Sequence, residues 1–265
     1  MRIDGSVTFA DLRPRYLERI GVSGEIAESC ESDSALLETV LAAQVATVPF
    51  ENLDIHARRR TDIDPEAVVA KILGRRRGGI CYEVNGILAL GLAALGFDVR
   101  LLGAAVYRPD GGLGLPLGHM AVLASNGTMA WLVDAGFGGS SVILPLGESW
   151  EPEPLDVTTS TGRYRTEAVT RSIDEFAPMA HWHSTNPAAR FTRSIIVSLT
   201  TARQRITLSL SPAAPGAPNG FVLGETDLDT GAATRTPVAD DEVCDVLRSR
   251  FGIDVPEVPA LGVFG

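Results

Sequence analysis

One cysteine in the sequence has the surroundings expected of a nucleophile. Cys81 follows residues 75–80, which read Arg-Arg-Arg-Gly-Gly-Ile, and it begins a stretch that predicts a helix ending near Leu95. Unpaired backbone N–H groups and the positive end of the helix dipole stabilise an anion at such a position, and nearby guanidinium groups add to this effect. The alternative for a lone cysteine is a small buried apolar residue. Cys30 and Cys244 lack this setting, and we expect both to be structural.

A thiol nucleophile needs a base, and the base needs an acceptor that orients it. The histidines available are His56, His119, His181 and His183. His119 begins the apolar run 119–124, and Asp134 ends the run 131–134, so that both runs predict strands. If these strands form a hairpin, the start of one lies beside the end of the other, and the imidazole meets the carboxylate.

The remaining histidines leave alternatives open. His119 on its own could be an ordinary residue at a strand end and Asp134 a turn former, in which case His181 or His183 would pair with Cys81. His181 and His183 could also place two imidazole rings on one face of a strand, as some metal sites do. No acidic or cysteine ligand lies close to them in sequence, so we expect no metal.

Hydrophobic spacing predicts the elements that position these groups. The first third is predicted to be helical, with helices over residues 9–20, 35–46, 66–73 and 81–95. The middle is predicted to be mostly β, with strands over residues 99–107, 119–124, 130–133, 191–200 and 203–210. An amphipathic helix over residues 238–251 closes the chain. This pattern indicates an α+β fold.

Composition and charge exclude several classes of protein. The 265 residues are 45% hydrophobic and 21% charged, which is typical of a globular chain and not of a disordered one. A net charge of -10 repels phosphate backbones, so we expect no nucleic-acid partner. Lys71 is the only lysine among the 23 basic residues, and it lies in no GxxxxGK[ST] motif. The absence of a GxGxxG motif after a strand argues against a nicotinamide cofactor.

We expect no targeting or membrane-spanning segment in this sequence. Residues 1–5 form no apolar region, and the longest apolar-rich stretch, residues 86–97, is shorter than the roughly 20 residues that span a bilayer. The 3 cysteines are far apart and form no CxxC pair, which excludes a disulfide framework. We expect a cytoplasmic protein with no membrane partner.

Four segments resemble the arylamine N-acetyltransferase family, which also includes polyketide-releasing amide synthases. Residues 77–86 are similar to the family's RGG-x-C-[FY]-E-x-N segment around its nucleophilic cysteine, and residues 48–53 match its VPFENL segment. Residues 134–139 are similar to DVGFGG, and residues 184–187 are similar to S-T-x-P. These segments occur in family order, and the resemblance covers roughly residues 9–255.

The resemblance implies three parts around a Cys-His-Asp core like that of cysteine proteases. These are an N-terminal helical bundle over residues 1–96, a central β-barrel over residues 97–190 and a C-terminal α/β lid over residues 191–265. It also implies the roles of individual residues. By this resemblance, Cys81 is the nucleophile, His119 is the base, and Asp134 orients His119. Glu51 and Arg77 would form a structural ion pair near the site. The implied substrate contacts are Phe50, Phe137 and Gly138.

The implied reaction has two steps. Acetyl-CoA acylates Cys81, coenzyme A leaves, and an arylamine or hydrazine then takes the acetyl group. Coenzyme A is thus a consumed co-substrate and not a resident cofactor, and we expect arginines near the cleft to bind its phosphates. The alternative is an amide synthase, which transfers a polyketide chain from an acyl carrier protein to an arylamine and forms a macrolactam. The family often has threonine at Gly118, a larger or polar residue at Val84 and valine at Ala135, and these departures could alter the pocket.

Overall fold

The first third of the chain is helical, as predicted. The computed structural model describes residues 8–148, 150–210 and 220–261. Its first elements are α1 (Phe9–Ile20), α2 (Gly24–Glu28), α3 (Asp33–Thr47), β1 (Phe50–Glu51), α4 (Leu53–His56), α5 (Pro65–Val69), which continues as a π-helical turn (Ala70–Gly74), and α6 (Cys81–Ala94). The side chains of Thr8, Ser23 and Ser32 accept hydrogen bonds from backbone N–H groups and cap α1, α2 and α3.

Helix α6 forms the centre of the molecule. Its residues from Cys81 to Leu92 are all buried, because the helix is apolar on nearly every side and other elements cover it. Helix α1 comes closest where α6 has a glycine. A Cβ atom on Gly91 would lie 2.4 Å from the ring of Tyr16, so only glycine allows this approach.

We expect Gly91→Ala to lower the free energy of unfolding by about 1–3 kcal/mol, because the added methyl group forces the Tyr16 ring to move within a packed core. Gly86→Ala in the same helix is a matched control, since its Cβ would meet Val68 at an ordinary 3.7 Å. The control should be neutral or stabilising by up to about 1 kcal/mol through helix propensity. Urea denaturation of both variants measures the difference, and equal stabilities would contradict this account of the packing.

The middle of the chain folds into a nearly closed, barrel-like sheet. Its strands are β2 (Asp98–Val106), β3 (His119–Ser125), β4 (Met129–Phe137), β5 (Ser140–Glu148), β6 (Asp156–Thr159) and β7 (Gly162–Arg171), in the spatial order β5-β4-β3-β2-β7-β6. All paired neighbours are antiparallel, and the edge strands β5 and β6 approach each other. Leu102, Ala121, Leu132 and Tyr164 belong to one buried cluster inside this sheet.

Strand β3 is buried on both faces. Ala121 and Leu123 belong to the interior cluster of the sheet, whereas Met120, Val122 and Ala124 belong to the larger core that includes α6. A strand covered on both sides shows a continuous apolar run instead of alternation. This explains why residues 119–124 read as an unbroken apolar stretch.

The C-terminal part combines a second sheet with a helix. After a 3-10 turn (Ile173–Phe176), the elements are α7 (Ala177–Thr185), α8 (Arg190–Arg193), β8 (Ile195–Thr200), β9 (Gln204–Leu210), β10 (Phe221–Asp227), β11 (Ala233–Val238) and α9 (Val243–Phe251). The sheet order is β1-β8-β9-β10-β11. Leu247 and Phe251 of α9 share a buried cluster with Val197 of β8. The α+β class with helical, barrel-like and α/β parts is therefore confirmed, while the boundaries after residues 96 and 190 stay predictions.

The alternative that placed residues 181–183 on a strand is excluded, because they lie in helix α7. The Ser172 N–H donates to Glu175 and starts the 3-10 turn that leads into this helix. Three local predictions were wrong. The helix predicted over residues 238–251 begins only at Val243, and Val238 ends β11. The segment predicted as strand 191–200 begins with α8. Asp134 does not end its strand, since β4 continues to Phe137. No helix within the described ranges is long and apolar enough to cross a membrane.

Candidate active site

Cys81 lies at the first residue of α6, in a segment fixed against β1. The Glu51 N–H donates to the Gly79 carbonyl at 2.9 Å. This approach requires glycines, because a Cβ on Gly78 would lie 1.8 Å from the carbonyl oxygen of Pro49. Cys81 is 4% exposed. The thiol is thus held at the end of the helix where the dipole stabilises an anion.

The structure brings His119 and Asp134 into direct contact. His119 Nε2 lies 2.7 Å from Asp134 Oδ2, and both side chains are buried. Strands β3 and β4 pair with Val122 opposite Val133, and this register carries the first residue of β3 to the part of β4 that holds Asp134. The hairpin reasoning thus reached the correct pair, although Asp134 lies inside its strand.

The ion pair controls the protonation of the imidazole ring. Burial opposes a charged ring, but the charge of Asp134, the hydrogen bond to it and the neighbouring Cys81 outweigh burial and raise the pKa of His119 to about 10. The Cys81 side chain lies beside the imidazole ring and is among the groups that raise this pKa. Because Nε2 faces Asp134, Nδ1 is the nitrogen left for the thiol. Cys81, His119 and Asp134 therefore form one connected group that can exchange a proton.

Asp134 is itself held by groups to which the sequence analysis assigned no role. Asn85 Nδ2 donates to Asp134 Oδ1 at 2.8 Å, and the Gly136 N–H donates to the same oxygen at 2.7 Å. Burial favours the neutral acid, but His119 and these donors outweigh it and lower the pKa of Asp134. Asn85 also accepts the Ala135 N–H at 2.9 Å. Asn85 has two signals in the sequence, its place in the family segment of residues 77–86 and its position four residues after Cys81 on the same face of an otherwise apolar helix.

Glycine at position 136 lets β4 pass close to α6. A Cβ there would lie 2.8 Å from Asn85 Nδ2 and 3.0 Å from the Cys81 Cα atom. Position 136 therefore needs a glycine, because the strand carrying Asp134 passes close to the helix carrying Cys81.

Two aromatic rings enclose the imidazole of His119. Phe137 lies with its centroid 5.0 Å from that of His119, and Tyr164 lies at 4.8 Å. Tyr164 Oη is buried and has no hydrogen-bond partner among the described residues. Burial and the charge of Asp134 raise the pKa of Tyr164 well above its usual value. Nothing in the sequence identified Tyr164, because strand pairing over a long distance brings it to the site.

The other histidines do not join this group. His56 Nε2 lies 3.1 Å from the Ser194 carbonyl oxygen, and His183 Nε2 lies 3.2 Å from the Gly118 carbonyl oxygen. His181 is exposed on α7. Residues two apart on a helix do not share a face, so His181 and His183 cannot form the two-histidine site considered from the sequence. Across the described ranges, no three His, Cys, Asp or Glu side chains converge as metal ligands.

The predicted substrate contacts lie at two places. The Phe50 ring packs against Phe191 with centroids 5.7 Å apart, and Phe50 is 5% exposed. Phe137 covers His119, and Gly138 follows it in a turn with a φ of 62°. Their contact with substrate stays a prediction. Of the positions that depart from the family pattern, Val84 and Ala135 are both buried.

A buried network of charges lies beside the start of α6. Arg77 Nη2 contacts Glu51 Oε1 at 2.7 Å, so the two residues of the expected ion pair are in contact. Lys71 joins them to the helix that carries the thiol, with Nζ 2.8 Å from Asp54 Oδ2 and 2.7 Å from Glu83 Oε1. Lys71, Asp54 and Glu83 were not singled out for this place in the sequence, because their partners come from separate segments.

Comparisons with known proteins agree with this architecture. A family model described as N-acetyltransferase matches residues 33–165 and 147–259 of the chain. The chain is 30% identical to the arylamine N-acetyltransferase of Mycolicibacterium smegmatis over 273 residues, which cover 92% of each protein.

Solved structures show the same similarity. The structure of arylamine N-acetyltransferase from M. tuberculosis matches with a TM-score of 0.72 and 27% identity over 91% of this chain and 92% of that one. The enzyme from Salmonella typhimurium matches with a TM-score of 0.76 and 21% identity over 98% of this chain and 96% of that one. The second likeness concerns the fold alone.

Proposed function

Because the chain belongs to the arylamine N-acetyltransferase family, we propose that it moves an acetyl group from acetyl-CoA to the nitrogen of an arylamine or arylhydrazine. As a member of that family it is an acyltransferase enzyme. The observation that supports Cys81 as the acyl carrier is its connection to the buried His119–Asp134 ion pair. We assign Cys81 as nucleophile, His119 as base and Asp134 as the residue that orients His119.

In the first step, the Cys81 sulfur attacks the carbonyl carbon of the thioester, and its proton is held by His119. The tetrahedral intermediate collapses, the bond to the sulfur of coenzyme A breaks, and His119 protonates that sulfur as it leaves. In the second step, the amine nitrogen attacks the acyl carbon and loses a proton to His119. Cys81 then leaves as thiolate, which regenerates the starting pair.

Intact-mass spectrometry tests this route on protein dialysed against EDTA, because the three groups need no metal. Acetyl-CoA should add about 42 Da, the mass of an acetyl group replacing a proton, and an added arylamine should remove it. Cys81→Ser should carry no adduct that an arylamine discharges. If acetyl-CoA adds no mass but a long-chain thioester mimic acylates Cys81, the amide synthase that uses an acyl carrier protein replaces this proposal. A requirement for added zinc would also contradict it.

We further propose that Arg205 contacts the phosphates of coenzyme A. Its Nη1 donates to Ser160 Oγ at 3.1 Å, so the guanidinium contacts a hydroxyl group and not a carboxylate. Ser160 Oγ lies 3.0 Å from Ser140 Oγ, directly after the turn that contains Gly138. Arg205 therefore lies near the predicted substrate contacts, and its guanidinium group can bind a phosphate.

We expect Arg205→Gln to raise the KM for acetyl-CoA roughly tenfold, the loss of about 1.5 kcal/mol from one charge-assisted hydrogen bond. Acylation by p-nitrophenyl acetate should not change, because that donor has no phosphate. Arg203→Gln, at an exposed position before the same strand, is the control. A KM for acetyl-CoA equal in both variants and the unmodified protein would reject the assignment.

A further inference from the structure

The backbone that leads into His119 has an uncommon conformation. Leu117 has a φ of 56°, in the left-handed region that residues other than glycine rarely occupy. Such a conformation persists only when the surroundings hold it, and it is common near active sites. Leu117 and Gly118 connect a loop rich in glycine to the first residue of β3, so their position sets where His119 begins.

Two side chains hold the carbonyl groups of this segment. Tyr82 Oη donates to the Leu117 carbonyl oxygen at 2.7 Å. His183 Nε2 lies 3.2 Å from the Gly118 carbonyl oxygen, and because a carbonyl only accepts, Nε2 donates. Tyr82 is fully buried and directly follows Cys81, while His183 comes from α7. The two rings contact each other with centroids 6.1 Å apart.

We propose that Tyr82 and His183 are positioning residues that fix the backbone before His119 and so set the approach of its imidazole to Cys81. This inference rests on the proposed function, since it concerns the same thiol and base. The hydrogen bond to Asp134 orients the ring of His119, but it does not fix the backbone on the other side of Cα. The two carbonyl contacts supply that constraint from the element that carries the thiol and from α7.

The segment is also supported by the hydrogen bond from the Gly118 N–H to the Leu115 carbonyl oxygen at 3.2 Å and by the pairing of His119 with Ala104 of β2. Gly118 has no side chain to anchor, and a Cβ there would lie 2.9 Å from the Leu115 carbonyl oxygen. Burial lowers the pKa of His183 to about 4, although its contact with the Gly118 carbonyl opposes this, so the ring is neutral at neutral pH and donates through Nε2. A neutral His183 also leaves the proton chemistry to His119. The motif around the nucleophile accepts phenylalanine at position 82, so we expect the Tyr82 hydroxyl to adjust the rate without being indispensable.

Tyr82→Phe and His183→Phe test the inference, and Tyr16→Phe is the matched control. Tyr16 is also fully buried and donates to Gln44 Oε1 at 2.6 Å, but it makes no hydrogen bond to residues 117–119. Each test variant should lower the single-turnover rate of Cys81 acylation by roughly tenfold, because small displacements of reacting groups are costly. The KM for the amine should stay within about twofold. The double variant should lose less than the product of the two single effects, because both contacts hold one segment.

Two further readouts separate positioning from a general loss of stability. The pH profile of Cys81 alkylation by iodoacetamide should shift in the test variants and not in Tyr16→Phe, and the NMR signal of the proton between His119 and Asp134 should move. His183→Gln keeps a donor and should recover part of the rate. If Tyr82→Phe and His183→Phe lower Tm as Tyr16→Phe does but leave alkylation and acylation unchanged, the contacts are only structural and the inference is wrong. Alkylation needs no acetyl-CoA, so these outcomes remain distinct from a failure of the proposed function.

Discussion

Replacing His119 with alanine is expected to abolish acyl transfer almost as completely as replacing Cys81, with losses of roughly a thousandfold or more in each case. The imidazole of His119 is the base beside the thiol, whereas His56 and His183 contact the carbonyl oxygens of Ser194 and Gly118. Removing the ring leaves the thiol without a partner to hold its proton. Deletions within one catalytic unit are not additive, so a variant in which both His119 and Cys81 are replaced should be about as slow as either single variant.

Asp134→Asn should lower activity to a similar extent while preserving the shape of the site. The carboxylate accepts a hydrogen bond from His119 Nε2 at 2.7 Å, whereas an amide nitrogen there would favour the tautomer with its proton on Nδ1. Nδ1 could then no longer take the proton of the thiol. Single-turnover acylation with acetyl-CoA measures the effect in all these variants.

His181→Ala is the control for the histidine series, because this exposed side chain on α7 lies outside the group. It should retain the activity of the unmodified protein. Alkylation with iodoacetamide adds a second comparison, since Cys81 should react faster than Cys30 or Cys244. Robust acyl transfer by His119→Ala, or equal reactivity of the three thiols, would reject the proposed roles.

The sequence identified the groups that converge because each belongs to a local pattern. The basic and glycine-rich segment before Cys81 marks a helix start, and two apolar runs close in sequence predicted the hairpin that joins His119 to Asp134. The exact place of Asp134 was missed because β4 extends past it and ends only at Phe137. A short apolar run predicts the presence of a strand more reliably than it predicts the residue at which the strand ends.

Contacts between distant segments could not be predicted in this way. Tyr164 reaches His119 through the pairing of β7 with β2, and His183 reaches Gly118 through the packing of α7. Neither residue lies in a periodic pattern that points to the site. The alternative of a strand at residues 181–183 stayed open for a related reason, since the cap at Ser172 that precedes the helix lies nine residues upstream of His181.

The largest expected change in stability comes from Lys71. Its ammonium group lies between two carboxylates, and burial raises the pKa of Glu83 while the charge of Lys71 opposes that rise. Burial also acts to raise the pKa of Asp54, but Lys71 and Arg77 outweigh it and lower that pKa. A compact ammonium suits this position, whereas a planar guanidinium needs more space. Asp54 also contacts Arg77 and Arg59, whereas the cation in contact with Glu83 is Lys71.

We expect Lys71→Met to lower the free energy of unfolding by about 3–5 kcal/mol, the usual cost of leaving a buried charge without its partner. Glu83 Oε2 also accepts the Ile80 N–H at 3.0 Å, so an uncompensated charge there would disturb the first turn of α6. Lys71→Met combined with Glu83→Gln should be more stable than Lys71→Met alone, because the glutamine keeps an acceptor for Ile80 and removes the charge.

Arg13→Met is the control for this experiment. Arg13 contacts Glu28 at 3.2 Å, but the two side chains are 42% and 70% exposed, and such surface pairs contribute about 0–1 kcal/mol. Urea unfolding of all variants gives the comparison. If Lys71→Met costs no more than Arg13→Met, or if adding Glu83→Gln brings no recovery, the network does not require Lys71 to balance its carboxylates. Recovery in the double variant would instead show that the charge of Lys71, and not the volume of its side chain, holds the turn that carries Cys81.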